Sequence, residues 1–137
     1  MAIEAGESIG DEGILHLVGT FEKGYDNKHR IIIPEEMMEY FRQSQTGNRL
    51  RIYVGYAKED GIPYAVLRAE FKDESGLEFS RYRAMGVDAQ NRVGIPDESF
   101  KQGELEQKVW LLGCGDHARI YGNRNYRRAG EKQSLAR

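Results

Sequence analysis

The sequence predicts a mainly β protein with short helices, a β-rich α+β chain built from two tandem copies of one small unit. Three observations predict it. The stretch Gly24–Glu36 recurs as Gly86–Glu98 at a constant offset of 62 positions (26 to 88, 30 to 92, 34 to 96), with six of thirteen positions identical. A repeat of this kind sets the architecture before any single element is read. Short apolar runs alternate as half-buried strands do, most clearly Leu50-Arg51-Ile52-Tyr53-Val54-Gly55-Tyr56. The helix-compatible segments are brief, and each opens at a proline, Pro34 or Pro96, directly after a short strand, the first of them the β-branched Ile31-Ile32-Ile33.

In order, residues 1–13 are acidic and lack a period, which predicts a loose arm. Ile14 to Phe21 is strand-like. Asp26-Asn27-Lys28 is turn chemistry, because Asp and Asn bond to their own backbone and bend the chain. Arg30 to Ile33 is a second strand, and Pro34 suits the first position of a helix. Glu35 and Glu36 favour its positive end, and Met37, Met38, Tyr40 and Phe41 form its apolar face. Gly47-Asn48 stops that helix. Leu50 to Tyr56 and Tyr64 to Ala69 make a hairpin about Asp60-Gly61-Ile62-Pro63. Phe71 to Ser80 is a short link. The second unit repeats the plan: Leu77 to Val87, a turn at Asp88 to Asn91, a strand Arg92 to Ile95, and a helix from Pro96 to Gly103. A hairpin follows, of Lys108–Gly113 and Ala118–Tyr121 about Gly113–His117. The boundaries expected are 14–70 and 77–128, with 1–13 and 129–137 as flexible ends. Neither unit holds enough apolar residues to close a core alone, whereas two packed about a pseudo-twofold axis do.

Composition bounds function. The chain has 137 residues, 31% charged and 39% hydrophobic, which suits one small soluble domain or two units sharing a core. Its net charge of −2 does not announce a nucleic-acid binder. Charge is uneven: the first 22 residues are acidic, whereas Arg119, Arg124, Arg127, Arg128, Lys132 and Arg137 face only Glu131. Cys114 is the only cysteine, so no intrachain disulfide forms. No apolar run approaches the roughly 20 residues of a membrane span, and no signal peptide is recognisable. A cytoplasmic protein is the expectation.

The candidate site is the repeated Asp-x-x-x-Arg loop. Arg30 and Arg92 stand at strand starts just after a turn, where a guanidinium projects from a rigid edge and can form two parallel bonds to guanine or phosphate. Asp26 and Asp88, four residues earlier, are placed to accept from that arginine. They are assigned mainly to loop shape, since an exposed carboxylate repels DNA. Taken alone, such a pair is more often a loop-closing ion pair worth about 0–1 kcal/mol. Lys28 and His29 are further phosphate-contact candidates, though single residues of this kind are commonly just solvated turn positions. Arg49 and Arg51 are expected on an exposed strand face. Cys114-Gly115-Asp116-His117 is a hairpin turn rather than a metal site, which wants four ligands. No catalytic residues, cofactor, metal or small-molecule substrate are expected. Trp110, Tyr121 and Tyr126 are assigned to packing.

With these residues in view, the chain resembles the MraZ family, bacterial transcriptional regulators of the division and cell-wall gene cluster. Leu17-Val18-Gly19-Thr20-Phe21-Glu22 followed by Asp26 to Pro34 is similar to the family's start. Asp88 to Tyr126, with Trp110-Leu111-Leu112-Gly113 and Ile120-Tyr121, is similar to its second repeat. The match covers about residues 14–128. The resemblance implies a swapped-hairpin, double-split β-barrel of the AbrB/SpoVT kind, present as two tandem AbrB-like repeats. It implies a ring-shaped homo-oligomer, cytoplasmic and nucleoid-associated, that binds repeated operator sequences in double-stranded DNA. DNA contact transfers to Asp26, Lys28 and Arg30, and to Asp88 and Arg92.

Three departures stand out. His29 and Asn91 replace the family's usual glycine before the arginine, the link between repeats is short, and Lys28 becomes Gln90 in the second loop. If that glycine position needs φ > 0, Asn tolerates it better than His. Because Lys28 gives the first loop a charge that Gln90 does not give the second, Arg30 is expected to carry more binding than Arg92, although the second loop has the friendlier turn residue. Two other readings are an AbrB-type antitoxin and an interaction module that keeps the scaffold without DNA contact.

Overall fold

The computed structural model describes residues 16–43, 50–69 and 82–135, with backbone alone for the last four of these. The elements are β1 (Thr20–Gly24), β2 (Arg30–Ile32), α1 (Glu35–Gln43), β3 (Arg51–Glu59), β4 (Ile62–Arg68), β5 (Arg83–Gly86), β6 (Arg92–Gly94), α2 (Asp97–Gln102), β7 (Lys108–Gly113), β8 (His117–Gly122) and α3 (Asn123–Leu135). This is the β-rich chain with short helices that the alternation and the paired prolines predict. The expected arm 1–13, the stop at Gly47-Asn48, Arg49 and the link from Phe71 to Ser80 lie outside the described residues.

Six strands form one antiparallel sheet in the order β1-β7-β8-β4-β3-β5, and β2 pairs with β6 in a separate two-stranded ribbon. The order is a palindrome of the two halves. Strand β1 of the first half adds to the hairpin of the second, and β5 of the second adds to the hairpin of the first. The registers answer each other: Glu22 lies opposite Trp110, and its repeat partner Ala84 lies opposite Tyr53. In the ribbon Ile31 faces Val93, its own repeat equivalent, so the pseudo-twofold passes between them. Where the axis meets the sheet, the β4–β8 pair holds Val66 opposite Arg119.

The sheet is open and ends on β1 and β5, so the closed barrel implied by the resemblance is not what these strands form. The reason lies in the loops. After β1 and after β5 the chain turns sharply at Asp26 and Asp88 and leaves the sheet. The two departing strands then find each other and cover the sheet's apolar face. Ile31, Ile33, Val93 and Ile95 from the ribbon and its flanks join Ile52, Val54, Leu67, Val109, Leu111, Ala118 and Ile120 from the sheet in one buried cluster. Removing such side chains from water is the main stabilising term. Helix α1 adds Met37, Met38 and Phe41, all at most 1% exposed. Their spacing puts them on one face.

Several boundaries differ from expectation. Pro34 and Pro96 precede their helices by one residue instead of opening them, and Pro96 is extended (φ −57°, ψ 149°). Its fixed φ still suits the entry, and the Pro34 carbonyl accepts from the Met37 and Met38 amides at 3.0 and 2.9 Å. The first strand begins at Thr20; Leu17 lies before it, bridged to Gly115 and buried in the main cluster. At that crossing Gly113 is required, because a Cβ there would run into the Val18 backbone nitrogen. The loose end expected from residue 129 is instead helical: α3 runs to Leu135. It packs on the other sheet face, where Tyr126 and Ala129 lie against a second small cluster of Ile62, Tyr64, Val66 and Tyr121.

Candidate functional site

Each Asp loop is built by one carboxylate. Asp26 Oδ1 accepts from the Lys28 and Arg30 amides, both at 2.9 Å, and Oδ2 accepts from Arg30 Nε at 2.7 Å. Asp88 repeats this with Gln90, Arg92 and Arg92 Nε at 2.9, 2.9 and 2.7 Å. The backbone closes the same way, with the Asp26 amide donating to the Arg30 carbonyl and the Asp88 amide to that of Arg92, each at 3.1 Å. A carboxylate gathering several N–H donors is held ionised. The Arg30 amide, with the Lys28 amide and the Arg30 side chain, lowers the Asp26 pKa from 3.8 to about 2. The Arg92 amide leads the same downward shift in Asp88.

The fold brings both loops together. Arg30 Nη1 lies 3.9 Å from Asp88 Oδ2, and Arg92 Nη1 lies 3.9 Å from Asp26 Oδ2. Two carboxylates and two guanidiniums thus form a charge-balanced quartet across the pseudo-twofold, with all four side chains about one-third exposed. Each carboxylate grips its own arginine at Nε. Each Nη1 is turned towards the aspartate of the opposite loop, and each guanidinium keeps about one-third of its side chain open to solvent.

His29 and Asn91, each just before its arginine, both have a left-handed backbone, with φ +56° and +62°. Asn and His are among the few side chains enriched there. Both side chains reach across to the other half. The His29 ring stacks on Phe100 of α2 (centroids 4.2 Å apart, planes 12° apart), and its Nδ1 lies 4.0 Å from Asp97 of the same helix. Asn91 Nδ2 donates to Glu35 of α1 at 3.1 Å, and Glu35 in turn pairs with Arg42. The backbone carbonyls at the same two positions accept across the ribbon: His29 from the Ile95 amide at 2.9 Å, Asn91 from the Ile33 amide at 2.8 Å. Each left-handed residue therefore links the halves as well as turning its loop.

The structure thus brings together Asp26, Arg30, Asp88 and Arg92. Lys28 stands exposed on its loop, and His29 is engaged in packing. Sequence reasoning passed over two neighbours. Ile32 is 52% exposed, and it lies opposite Arg92 in the ribbon. Its place in the run Ile31-Ile32-Ile33 carried the signal, since strand alternation must turn one of three consecutive isoleucines outward. Arg42 at the end of α1 left no sequence signal, because its link to the second loop runs through Asn91 and Glu35, far apart in sequence. Among the described residues no group of three or more His, Cys, Asp and Glu side chains is arranged to hold a metal ion. No described helix is long and apolar enough to cross a membrane.

No protein-family model matches the chain. Comparison with individual proteins does find relatives. The transcriptional regulator MraZ of Caldicellulosiruptor saccharolyticus is 24% identical over 132 residues, covering 88% of this chain and 90% of that protein. The transcriptional regulator MraZ of Mesoplasma florum is 24% identical over 125 residues, covering 79% and 81%. The resemblance to the MraZ family holds. It extends through both Asp-x-x-x-Arg loops, which stand as equals in geometry although their flanks differ. At the two positions where the resemblance leads one to expect glycine, the backbone is left-handed. His and Asn adopt the conformation, and each is steadied by the opposite half.

Proposed function

We propose that this chain is a sequence-specific DNA-binding transcriptional regulator of the MraZ type. It acts as a homo-oligomer that presents its Asp-x-x-x-Arg loops to repeated operator DNA. The observation that carries the reading is the quartet. Two arginines from sequence-distant loops meet at one ribbon, each oriented by an Nε bond to its own aspartate and each about one-third exposed. A guanidinium held this way loses little freedom when it meets guanine O6/N7 or a phosphate, which is what preorganisation contributes to binding. The MraZ relatives, named as transcriptional regulators, support the same reading. So does the exchange of β1 and β5 between halves, the arrangement a swapped-hairpin, tandem AbrB-like architecture requires. One chain offers few contacts, and repeated loops on a ring gain by effective concentration.

The aspartates act through loop shape and arginine aim. Lys28 adds a phosphate contact on the first loop that Gln90 does not match, so Arg30→Ala weakens binding more than Arg92→Ala. Fluorescence anisotropy against duplex DNA from immediately upstream of the chain's own gene tests this at several salt concentrations. Expected are a steep salt dependence and loss of preference over random duplex in Arg30→Ala. A second reading, an interaction module without DNA contact, is favoured by the quartet's neutrality, since two positive charges are already matched by two negative ones. Absence of any shift at low salt would establish that second reading and sink the first.

A further inference from the structure

The outer face of α3 lies on the opposite side of the sheet from the Asp–Arg loops and has no role in the reading above. Arg124, Arg127 and Arg128 are all exposed and share one face at helical spacing, i, i+3 and i+4. Arg128 Nη1 donates to Asn125 Oδ1 at 2.9 Å. Among the described residues, no side-chain bond or ion pair holds the guanidiniums of Arg124 and Arg127. Glu131, one turn on, pairs with neither Arg127 nor Arg128 among these residues. The nearby glutamates are used otherwise: Glu106 accepts from the Arg124 backbone amide at 2.9 Å, and Glu104 accepts from buried Asn125 at 3.1 Å.

Folding does not explain this pattern. Like charges at these spacings destabilise a helix, and a cation in the first turn opposes the helix dipole. The first turn of α3 has no acidic residue of its own, and the Glu106 carboxylate that approaches it bonds the Arg124 backbone amide and not its side chain. Yet the helix is firmly placed. Tyr126 stacks on Trp110 with centroids 4.6 Å apart, and Trp110 Nε1 donates to Asn123 at 2.9 Å. A rigid helix that carries unpaired arginines at some cost to its own stability is arranged for an anionic partner.

We infer that α3 is a second, sequence-independent phosphate-binding surface that takes the backbone of a duplex segment other than the one on the Asp–Arg loops. This rests on the DNA-binding reading. Charge complementarity selects the partner: arginines spaced along one helix face match a line of phosphates, each of which adds about 0.9 to the salt slope when neutralised.

The test uses the full-length protein and a random-sequence duplex, with anisotropy measured over a range of salt. The double variant Arg124→Gln/Arg127→Gln is expected to lower the slope by about 1.8, to keep the preference for upstream DNA over random duplex, and to melt no lower than the parent. An unchanged slope overturns the inference, and so does a lowered melting temperature, which would make the arginines structural. If the pair instead controls retention on phosphatidylglycerol vesicles with the duplex slope intact, the partner is a membrane and the inference also fails. These outcomes leave the loop reading standing if Arg30→Ala still abolishes preference. A parent protein that binds neither duplex removes both.

Discussion

Asp26 spends both carboxylate oxygens on its own loop, on two amides and one guanidinium, and its pKa of about 2 expresses that. The sign follows from linkage. The folded value lies below the usual 3.8, so the loop's stabilisation by this group is complete above pH 3.8 and disappears as pH falls towards 2. Asp88 shifts the same way. NMR titration of the side-chain carboxyl carbon should give Asp26 a midpoint well under 3.8, with the Lys28 and Arg30 amide signals moving in the same window. A midpoint at 3.8 or above would mean that the carboxylate is not gathering those donors in solution. The left-handed residues make a related point. His29 and Asn91 occupy a backbone region that glycine enters without strain. Their side chains offset this through the Phe100 stack and the Glu35 bond.

At the level of elements, legibility tracked locality. The spacing of Met37, Met38 and Phe41 marks the buried face of α1, and the hairpin strand Lys108–Gly113 is found where the repeated plan puts it. Phe41→Ala should destabilise the protein by about 3–5 kcal/mol, because its side chain is fully buried in the main cluster. Denaturant unfolding measures this, and a loss below about 1 kcal/mol would mean that α1 is not part of the cooperative core. Helix α3 was hidden because what holds it is distant. Its own sequence is rich in arginine with a glycine inside, which reads as a solvated end. The partners Trp110 and Glu104 sit a turn or a strand earlier and are recognisable only once β7 and β8 are folded. The start of β1 was misplaced for a similar reason. Apolar character alone extends the strand back to Ile14, but the register against β7 and the close pass of Val18 over Gly113 set the paired segment at Thr20–Gly24.

At the scale of the whole molecule, the repeat announced two equal units, and the sheet shows what equality does. Neither half keeps its own first strand. Among the described residues, strand β1 pairs within the second half's hairpin, β5 within the first's, and the ribbon takes one strand from each. The quartet follows from this exchange, since Arg30 approaches Asp88 only because β2 and β6 cross at Ile31 and Val93. The sequence carried both loops and their offset but not their meeting, which depends on long-range pairing that no local pattern encodes. The exchange also makes a demand on folding. A chain cut between the halves leaves residues 1–75 with a lone β2 and an exposed cluster around Ile31, Ile33 and Phe41. Those side chains find cover only from a second copy, with Ile31 facing Ile31 in place of Val93. The isolated first half should therefore be unfolded or dimeric, and mixing it with residues 76–137 should restore the native circular dichroism spectrum. Analytical ultracentrifugation of the halves, alone and mixed, decides the matter. A folded monomeric half would mean that each unit can complete its own core, and the pseudo-twofold would then be a packing preference, not a condition of folding.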